Sequence, residues 1–323
     1  MIEAMERSAP IFIAGHRGLV GSAIVRKLTS MGFQNLLLAD RGQLDLTDQR
    51  AVDGYFAENE PAFVFLAAAR VGGIHANQAY AAEFIRENLA LQTNVIHSAW
   101  RHGTRKLMFL GSSCIYPREC PQPMREEHLL TGPLEPTNQW YAVAKIAGIK
   151  MCQAYRKQYG FDAICAMPTN LYGPFDNFHG LNSHVVPALV RRFHDARAAG
   201  ASEVTVWGSG TPRRELMHVD DLAAGLVFLM EHYGSDEIIN VGSGDEIRID
   251  ELAAMIAAAV GFEGNIRFDD SRPDGAPRKL LDSQRIRSLG WSPAIGLEVG
   301  LVDTYRWFAS QVSTAALRGE VGR

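Results

Sequence analysis

Pro10-Ile11-Phe12-Ile13-Ala14-Gly15-His16-Arg17-Gly18-Leu19-Val20-Gly21 is the stretch that decides how this chain folds. Pro10–Ala14 is apolar throughout and predicts a short strand buried on both faces. From Leu19 to about Gly32 the apolar residues recur at helical spacing. Between strand and helix, Gly15, Gly18 and Gly21 stand in a G-x-x-G-x-x-G pattern rather than the commoner G-x-G-x-x-G. Glycines so placed permit a tight turn and let the backbone approach a pyrophosphate closely. The helix N-terminus adds amide donors and a favourable dipole. The order strand, glycine turn, helix predicts a dinucleotide-binding start, with Gly15, His16, Arg17, Gly18, Leu19, Val20 and Gly21 as its loop. The competing reading is a glycine-rich turn with no ligand.

Downstream the chain alternates strand and helix without visible repeats. Strands are predicted near Leu36–Asp40, Ala62–Ala67, Lys106–Gly111 and Ala163–Met167, and helices near Thr47–Glu58, Ala81–His102 and Gln139–Tyr159. This is the rhythm of an α/β fold with a doubly wound parallel sheet, Rossmann-like. From about Tyr172 the pattern loosens into loops rich in Gly, Pro and Asn. Helices near Ser183–Ala199, Val219–Tyr233 and Ile249–Val260 then alternate with short strands around Val204–Val206, Ile238–Val241 and Ile266–Phe268. The expected division is a dinucleotide-binding domain over 9–172, with later segments around 217–243 woven back into it. A smaller C-terminal α/β substrate lobe over 173–310 and a loose tail over 311–323 complete it.

A second motif carries chemistry. The apolar run Leu107–Cys114 ends in Gly111-Ser112-Ser113-Cys114, and Tyr141-Ala-Val-Ala-Lys145 follows roughly thirty residues later. Tyrosine and lysine four apart share one helix face, so the ammonium is expected beside the phenol, lowering its pKa toward the working pH. Ser112, at a strand end, is expected to hydrogen-bond the same substrate oxygen. Together Ser112, Tyr141 and Lys145 form a proton-transfer device for a carbonyl or carbinol carbon.

Bulk properties narrow the class. A chain of 323 residues buries a large core, and a net charge of -4 gives no electrostatic reason to expect nucleic acid. No apolar run reaches the ~18 residues that span a membrane, and acids occupy the N-terminus where a secretory leader would carry bases. Cys114, Cys120, Cys152 and Cys165 contain no C-x-x-C pair, so neither a metal site nor a disulfide scaffold is expected. The cytoplasm is the expected address.

These motifs resemble the extended short-chain dehydrogenase/reductases that act on nucleotide sugars. Gly-His-Arg-Gly-Leu-Val-Gly (15–21), Ala-Ala-Ala-Arg-Val-Gly-Gly-Ile (67–74) and Leu-Gly-Ser-Ser-Cys-Ile-Tyr-Pro (110–117) carry the resemblance. So do Glu-Pro-Thr-Asn (135–138), Pro-Thr-Asn-Leu-Tyr-Gly-Pro (168–174), Asn-Ser-His-Val-Val-Pro (182–187) and Pro-Asp-Gly-Ala-Pro-Arg-Lys (273–279). It covers about Ile11 to Phe308 and is strongest with the branch that both epimerises and reduces. The resemblance implies NADPH-dependent 3,5-epimerisation and 4-reduction of GDP-4-keto-6-deoxy-D-mannose to GDP-L-fucose. Dehydratase relatives carry an Asp-Glu pair where this chain has Ser113 and Cys114. A C4 epimerase recycling NAD, a GDP-L-colitose-type enzyme and a non-catalytic NADP sensor remain as alternatives.

The chemistry suits the residues. A C4 ketone acidifies C3 and C5, because each carbanion delocalises into an enolate, so one base and one acid invert both centres. Cys114, two residues beyond Ser112, is expected to be the base once its pKa is lowered, although a cysteine at a strand end also suits plain packing. The family pattern places the opposing acid at His184, with His179 as a rival. Cys120, Cys152 and Cys165 are read as packing residues.

For the cofactor, Arg17 and Arg41 suit a 2′-phosphate, which makes it NADP, whereas Asp40 at the end of the second strand would suit a free ribose hydroxyl. Leu110, Gly111, Ser112, Ser113, Asn170 and Leu171 are expected to line the nicotinamide end, and Lys145, Pro168 and His184 are also expected to bind the cofactor. By resemblance Arg192, Trp207, Arg214, Asp274 and Lys279 contact the GDP-sugar, Trp207 having core packing as its alternative. The resemblance also implies a homodimer through the helices Ala81–His102 and Gln139–Tyr159, whose Leu89, Leu91, Val95, Ile96, Val143, Ile146, Ile149 and Met151 lie on more than one face.

Overall fold

The computed structural model describes residues 5–179, 183–272 and 274–313. In chain order the first half contains β1 (Ile11–Ala14), α1 (Leu19–Ser30), β2 (Leu36–Leu37), α2 (Gln49–Asn59), β3 (Phe63–Leu66), α3 (Ile74–Ala79) and α4 (Ala81–Arg101). It continues with β4 (Lys106–Leu110), α5 (Gln139–Tyr159) and β5 (Asp162–Pro168). Then come β6 (Asn170–Tyr172), α6 (Val185–Ala198), β7 (Glu203–Trp207), β8 (Arg213–His218), α7 (Val219–His232) and β9 (Ile239–Val241). The chain ends with β10 (Glu246–Arg248), α8 (Ile249–Val260), β11 (Asn265–Asp269), β12 (Arg278–Lys279), α9 (Gln284–Ser288) and α10 (Leu297–Ser313).

The main sheet has the order β2-β1-β3-β4-β5-β9, parallel throughout. Period-two alternation sends Ile11 and Ile13 to one face, where they pack with Ile24 and Leu28 of α1 and Leu222 and Leu226 of α7. Phe12 and Ala14 go to the other, among Phe56 of α2, Val95 and Ile96 of α4 and Ile149 of α5. Full burial of each large side chain contributes about 1.5–3 kcal/mol, so a strand apolar on both faces belongs in the middle of a covered sheet. From β1 the chain runs first to β2 on one side and then, through α2, to β3 on the other. That reversal is the switch point at which doubly wound folds open a ligand crevice beyond the strands' carboxyl ends.

A third core gathers α6, α8 and α10 around β7 and β11, with Val186, Phe193, Val206, Leu252, Ile256 and Phe308 buried together. β7 and β11 form a parallel pair, and β8 is flanked by β10 and β12 while also pairing with β6. β9 and α7 return to the first sheet.

Several boundaries differ from the sequence expectation. β2 stops at Leu37, and Asp40 instead turns the chain, its carboxylate accepting from the backbone N–H groups of Gly42 and Gln43. α6 begins at Val185, with His184 as its extended N-cap. α10 was not anticipated, and its Gln311–Ser313 end belongs to that helix rather than to a loose tail. Residues 314–323, and Asn182 and Pro273 at the heads of two motifs, lie outside the described residues.

Candidate active site

The glycine turn is shaped by what it lacks. Gly15 has φ +86, and a Cβ there would lie 2.8 Å from the Cα of Ala68, in the loop after β3. A Cβ at Gly21 would sit 2.1 Å from the Gly15 carbonyl oxygen. The turn is closed by the Gly18 N–H donating to that same oxygen at 2.9 Å. Gly18 caps α1 in an extended conformation with no side-chain acceptor and no acid in the first turn. The leading amides of α1 are therefore left for an external anion.

At the adenosine end, Arg17 pairs with Asp40 Oδ2 at 2.8 Å while Oδ1 is taken by the Gly42 and Gln43 amides. The carboxylate that sequence placed against a 2′-phosphate is thus neutralised by an arginine and turned into its own loop. Arg41 is exposed next to it. A glycine cradle, an uncapped helix start and two arginines fit a dinucleotide bearing a 2′-phosphate.

The proton-transfer groups meet at the end of β4. Gly111 donates its N–H to Ala166 O at 2.9 Å, and a Cβ on it would strike Met167 Sδ at 2.2 Å, so the strand end lies flush against β5. Ser112 is extended, and its Oγ accepts from the Cys114 N–H at 3.3 Å, starting the single turn Ser113–Ile115 that buries Cys114. Tyr141 stands half-buried at the start of α5.

Lys145, one turn on, is buried; its Nζ donates to Leu110 O at 2.8 Å and lies 5.7 Å from the Tyr141 ring centroid. The ammonium thus lies beside the Tyr141 ring, as the four-residue spacing predicts, while its hydrogen bond goes to the strand carbonyl. Burial holds Lys145 down to about 8 and pushes the Tyr141 phenol up, with the Cys114 charge adding to the rise. Desolvation here outweighs the attraction that the four-residue spacing suggests.

Cys114 follows the same logic. Burial pushes its thiol up, while the Ser112 hydroxyl and then the Lys279 and Lys145 ammoniums pull the other way. His184 is exposed at the head of α6, and loss of solvation against the protein, then Lys279, holds its imidazole below the ordinary value. Lys279 thus acts electrostatically on both Cys114 and His184. His179 is half-buried, its own N–H donating to Asn177 Oδ1 at 3.0 Å. Asn138, the N-cap of α5 three residues before Tyr141, has a buried Oδ1 with no hydrogen-bond partner among the described residues. In the sequence it stands out only as the last residue of Glu-Pro-Thr-Asn (135–138).

Around the cleft, Pro168 ends β5 against Val241, Asn170 donates through Nδ2 to Glu215 O at 3.0 Å, and Leu171 is half-buried in β6. Lys279 and Arg214 are register partners across β12 and β8. Arg214 donates through Nη2 to Asp274 O at 3.5 Å and through Nη1 to Arg213 O at 2.8 Å. Asp274 holds the next loop, accepting from Ser209 N–H at 2.7 Å and Ser209 Oγ at 2.8 Å. A hollow of about 300 Å³ lies here, lined by Thr211, Pro212, Asp274, Gly275 and Pro277.

Trp207 is 52% exposed, with the guanidiniums of Arg192 and Arg272 at 5.4 and 5.2 Å from its ring centroid. Core packing is thereby excluded for Trp207. Burial holds Arg192 and Arg214 below the ordinary arginine value. A cavity of about 410 Å³ elsewhere, lined by Asp221, Ser243 and Pro293 among others, touches none of the sequence-assigned residues.

Comparison with known proteins follows the same lines. Residues 11–242 match the NAD dependent epimerase/dehydratase family. The chain is 60% identical to GDP-L-fucose synthase 1 of Arabidopsis thaliana over 307 residues, covering 95% of each protein. It is 54% identical to the GDP-L-fucose synthase of Escherichia coli (strain K12), covering 92% of this chain and 96% of that one. Among solved structures, a GDP-L-fucose synthetase from Naegleria fowleri bound to NADP superposes with a TM-score of 0.90 at 27% identity, covering 97% and 98% of the two chains.

Proposed function

Because the chain belongs to the NAD dependent epimerase/dehydratase family, we propose that it converts GDP-4-keto-6-deoxy-D-mannose to GDP-L-fucose by 3,5-epimerisation and 4-reduction. NADPH is its cofactor and, when bound, supplies the hydride that reduces C4. The glycine cradle, the amides opening α1 and the Arg17 and Arg41 side chains bind and orient it.

The observation that carries the reading is the placement of Cys114. A simple reductase needs Ser112, Tyr141 and Lys145 alone. Here a buried cysteine lies within electrostatic reach of Tyr141, Lys145 and Lys279, and Lys279 also acts on His184. In the proposed sequence the Cys114 thiolate takes the C3 proton and protonated His184 delivers one from the opposite face; the thiol then releases its proton to solvent and the imidazole takes one up, and the same pair inverts C5. Ser112 Oγ and Tyr141 Oη stabilise the enolate oxygen in both steps. Tyr141 finally gives its proton to O4, and the Lys145 ammonium, fixed by Leu110 O, stabilises the phenolate left behind. Arg192, Arg214, Lys279 and Trp207 hold the GDP portion, and Asp274 sets the loop that presents Trp207.

The test is to incubate purified protein with GDP-4-keto-6-deoxy-D-mannose and follow NADPH absorbance and product. Oxidation of NADPH with formation of GDP-L-fucose is expected. Epimerised ketone without oxidation, or turnover confined to a 3,6-dideoxy substrate, would move the assignment to a neighbouring activity.

We read the protein further as a cytoplasmic homodimer. No helix among the described residues is long and apolar enough to cross a membrane. Of the apolar side chains on α4 and α5, Leu91, Val95, Ile96, Ile146 and Ile149 are buried within the chain. Trp140 and Val143 of α5 remain exposed and are the proposed contact, which light scattering on the purified protein tests.

A further inference from the structure

We propose that Arg272 reads the edge of the purine base in the bound nucleoside diphosphate, with Trp207 as the face on which that base stacks. The inference rests on the GDP-sugar reading above and assigns the residue that makes the site select guanine.

The polar groups of the second lobe run in one direction away from the reacting carbon. Cys114 is under the influence of Lys279, and Lys279 is paired in register with Arg214. Arg214 reaches Asp274 O, and Asp274 holds Ser209, two residues after Trp207. A nucleotide sugar with its ketone at Cys114 therefore lays its diphosphate across Lys279 and Arg214. Its base then falls at Trp207, the far end of the line.

That end has an unusual surface. A tryptophan half open to water exposes a large apolar ring, and two guanidiniums crowd it. Arg192 commits Nη1 to Thr205 O at 2.7 Å. Among the described residues the Arg272 side chain has one ion-pair contact, long and exposed, from Nε to Asp269 Oδ2 at 3.9 Å, and Asp269 is the register partner of Trp207. Among the described residues its Nη groups donate to nothing. An exposed pair of that kind contributes little energy, yet with the ring contact it parks the fork beside the indole. A purine uses both features at once. Its π-face stacks on an aromatic side chain, and the O6 and N7 acceptors of guanine match the two parallel N–H donors of an arginine. Uracil offers no such pair of acceptors, and a phosphate has no use for the indole.

The experiment is calorimetric titration of the full chain with GDP, UDP and inorganic pyrophosphate. Wild type is expected to prefer GDP over UDP. Arg272→Ala is expected to weaken GDP about tenfold or more and leave UDP and pyrophosphate unchanged. Arg272→Lys, which keeps the charge but loses the fork, should do the same, whereas Arg214→Ala should weaken all three. Equal losses on all three ligands in Arg272→Ala would make Arg272 a phosphate contact, and no loss would make it a solvated surface arginine; either overturns the proposal. A wild type indifferent between GDP and UDP would overturn the guanosine reading itself, independently of Arg272.

Discussion

The cofactor cradle and the proton-transfer cleft lie at the carboxyl ends of β1 and β4, with β3 between them, yet they are built by opposite means. Around Gly15 and Gly21 the working surface is backbone, made possible because Cβ atoms are missing at two contacts of 2.8 and 2.1 Å. Around Cys114, Tyr141 and Lys145 the working surface is side chain, and its properties come from burial: a thiol and a phenol pushed up and an ammonium held down to about 8. All three shifts favour the neutral form, as desolvation must. The thiol and the phenol thus rest protonated and uncharged at neutral pH, while Lys145, at about 8, remains mostly an ammonium. The charges that tip the cleft, Lys279 and Arg214, are brought by a different lobe from strands β12 and β8. Binding is prepared by geometry and catalysis by electrostatics.

The largest expected effect attacks the cleft. Tyr141→Phe should lower ketone reduction by about 10²–10⁴-fold, the range for losing a positioned general acid, while NADPH affinity, set at the cradle, stays unchanged in a fluorescence titration. A parallel fall in affinity would mean the two regions are not separable. Cys114→Ser should slow exchange of the substrate's C3 and C5 protons with heavy water by a comparable factor. For wild type the sign of the pH dependence follows from the raised thiol: only thiolate is a base, so exchange should climb about tenfold per pH unit from neutrality upward until the thiol titrates. A pH-independent exchange rate, or unchanged exchange in Cys114→Ser, would leave the cysteine as packing.

The two regions also differ in how far the sequence reveals them. A glycine pattern between an apolar strand and an amphipathic helix has essentially one structural meaning, so residues 15–21 were readable from the string alone. Tyr141 and Lys145 were equally visible as neighbours on one helix face, but their ionisation was not. The spacing suggests a lowered phenol, whereas burial, with the Cys114 charge behind it, pushes it up. The orphaned oxygen of Asn138 and the approach of Arg272 to Trp207 come from packing between segments far apart in sequence, which no local pattern encodes. α10 carries a legible signal that the sequence expectation lacks: Leu301, Thr304 and Phe308 are buried at helical spacing in a largely apolar stretch.

A middle-sized effect attacks the cradle. On helix propensity alone Gly21→Ala in α1 would stabilise by up to about 1 kcal/mol. The contact reverses that sign, because the new methyl meets the Gly15 carbonyl, backbone on backbone, with no flexible side chain to yield. Opening the turn should cost about 1–3 kcal/mol, seen as a lower melting temperature and a roughly tenfold weaker NADPH affinity. The catalytic ionisations should not move, so the pH profile of proton exchange in this variant should superpose on that of wild type after scaling. A displaced profile would show that the cradle and the cleft share strain.

The smallest effect concerns the one place where the cradle does use charge. Arg17 is 66% exposed and its pair with Asp40 is screened by solvent, so the pair itself contributes about 0–1 kcal/mol. Its consequence for selectivity is directional nonetheless. With Arg17 present, Asp40 is both neutralised and tied to its own turn, and a 2′-phosphate meets two arginines. Arg17→Ala removes one of them and leaves the Asp40 carboxylate unpaired beside the phosphate, so the NADPH-to-NADH preference should fall by up to about fivefold. Asp40→Asn keeps the turn's amide acceptor and releases Arg17, so the preference should rise by a similar factor. Opposite signs from the two variants are what an ion pair with one arm in the phosphate site requires. If both changes lower the preference, Asp40 acts only by holding the loop after β2, and the cradle, like the glycines that begin it, works by shape alone.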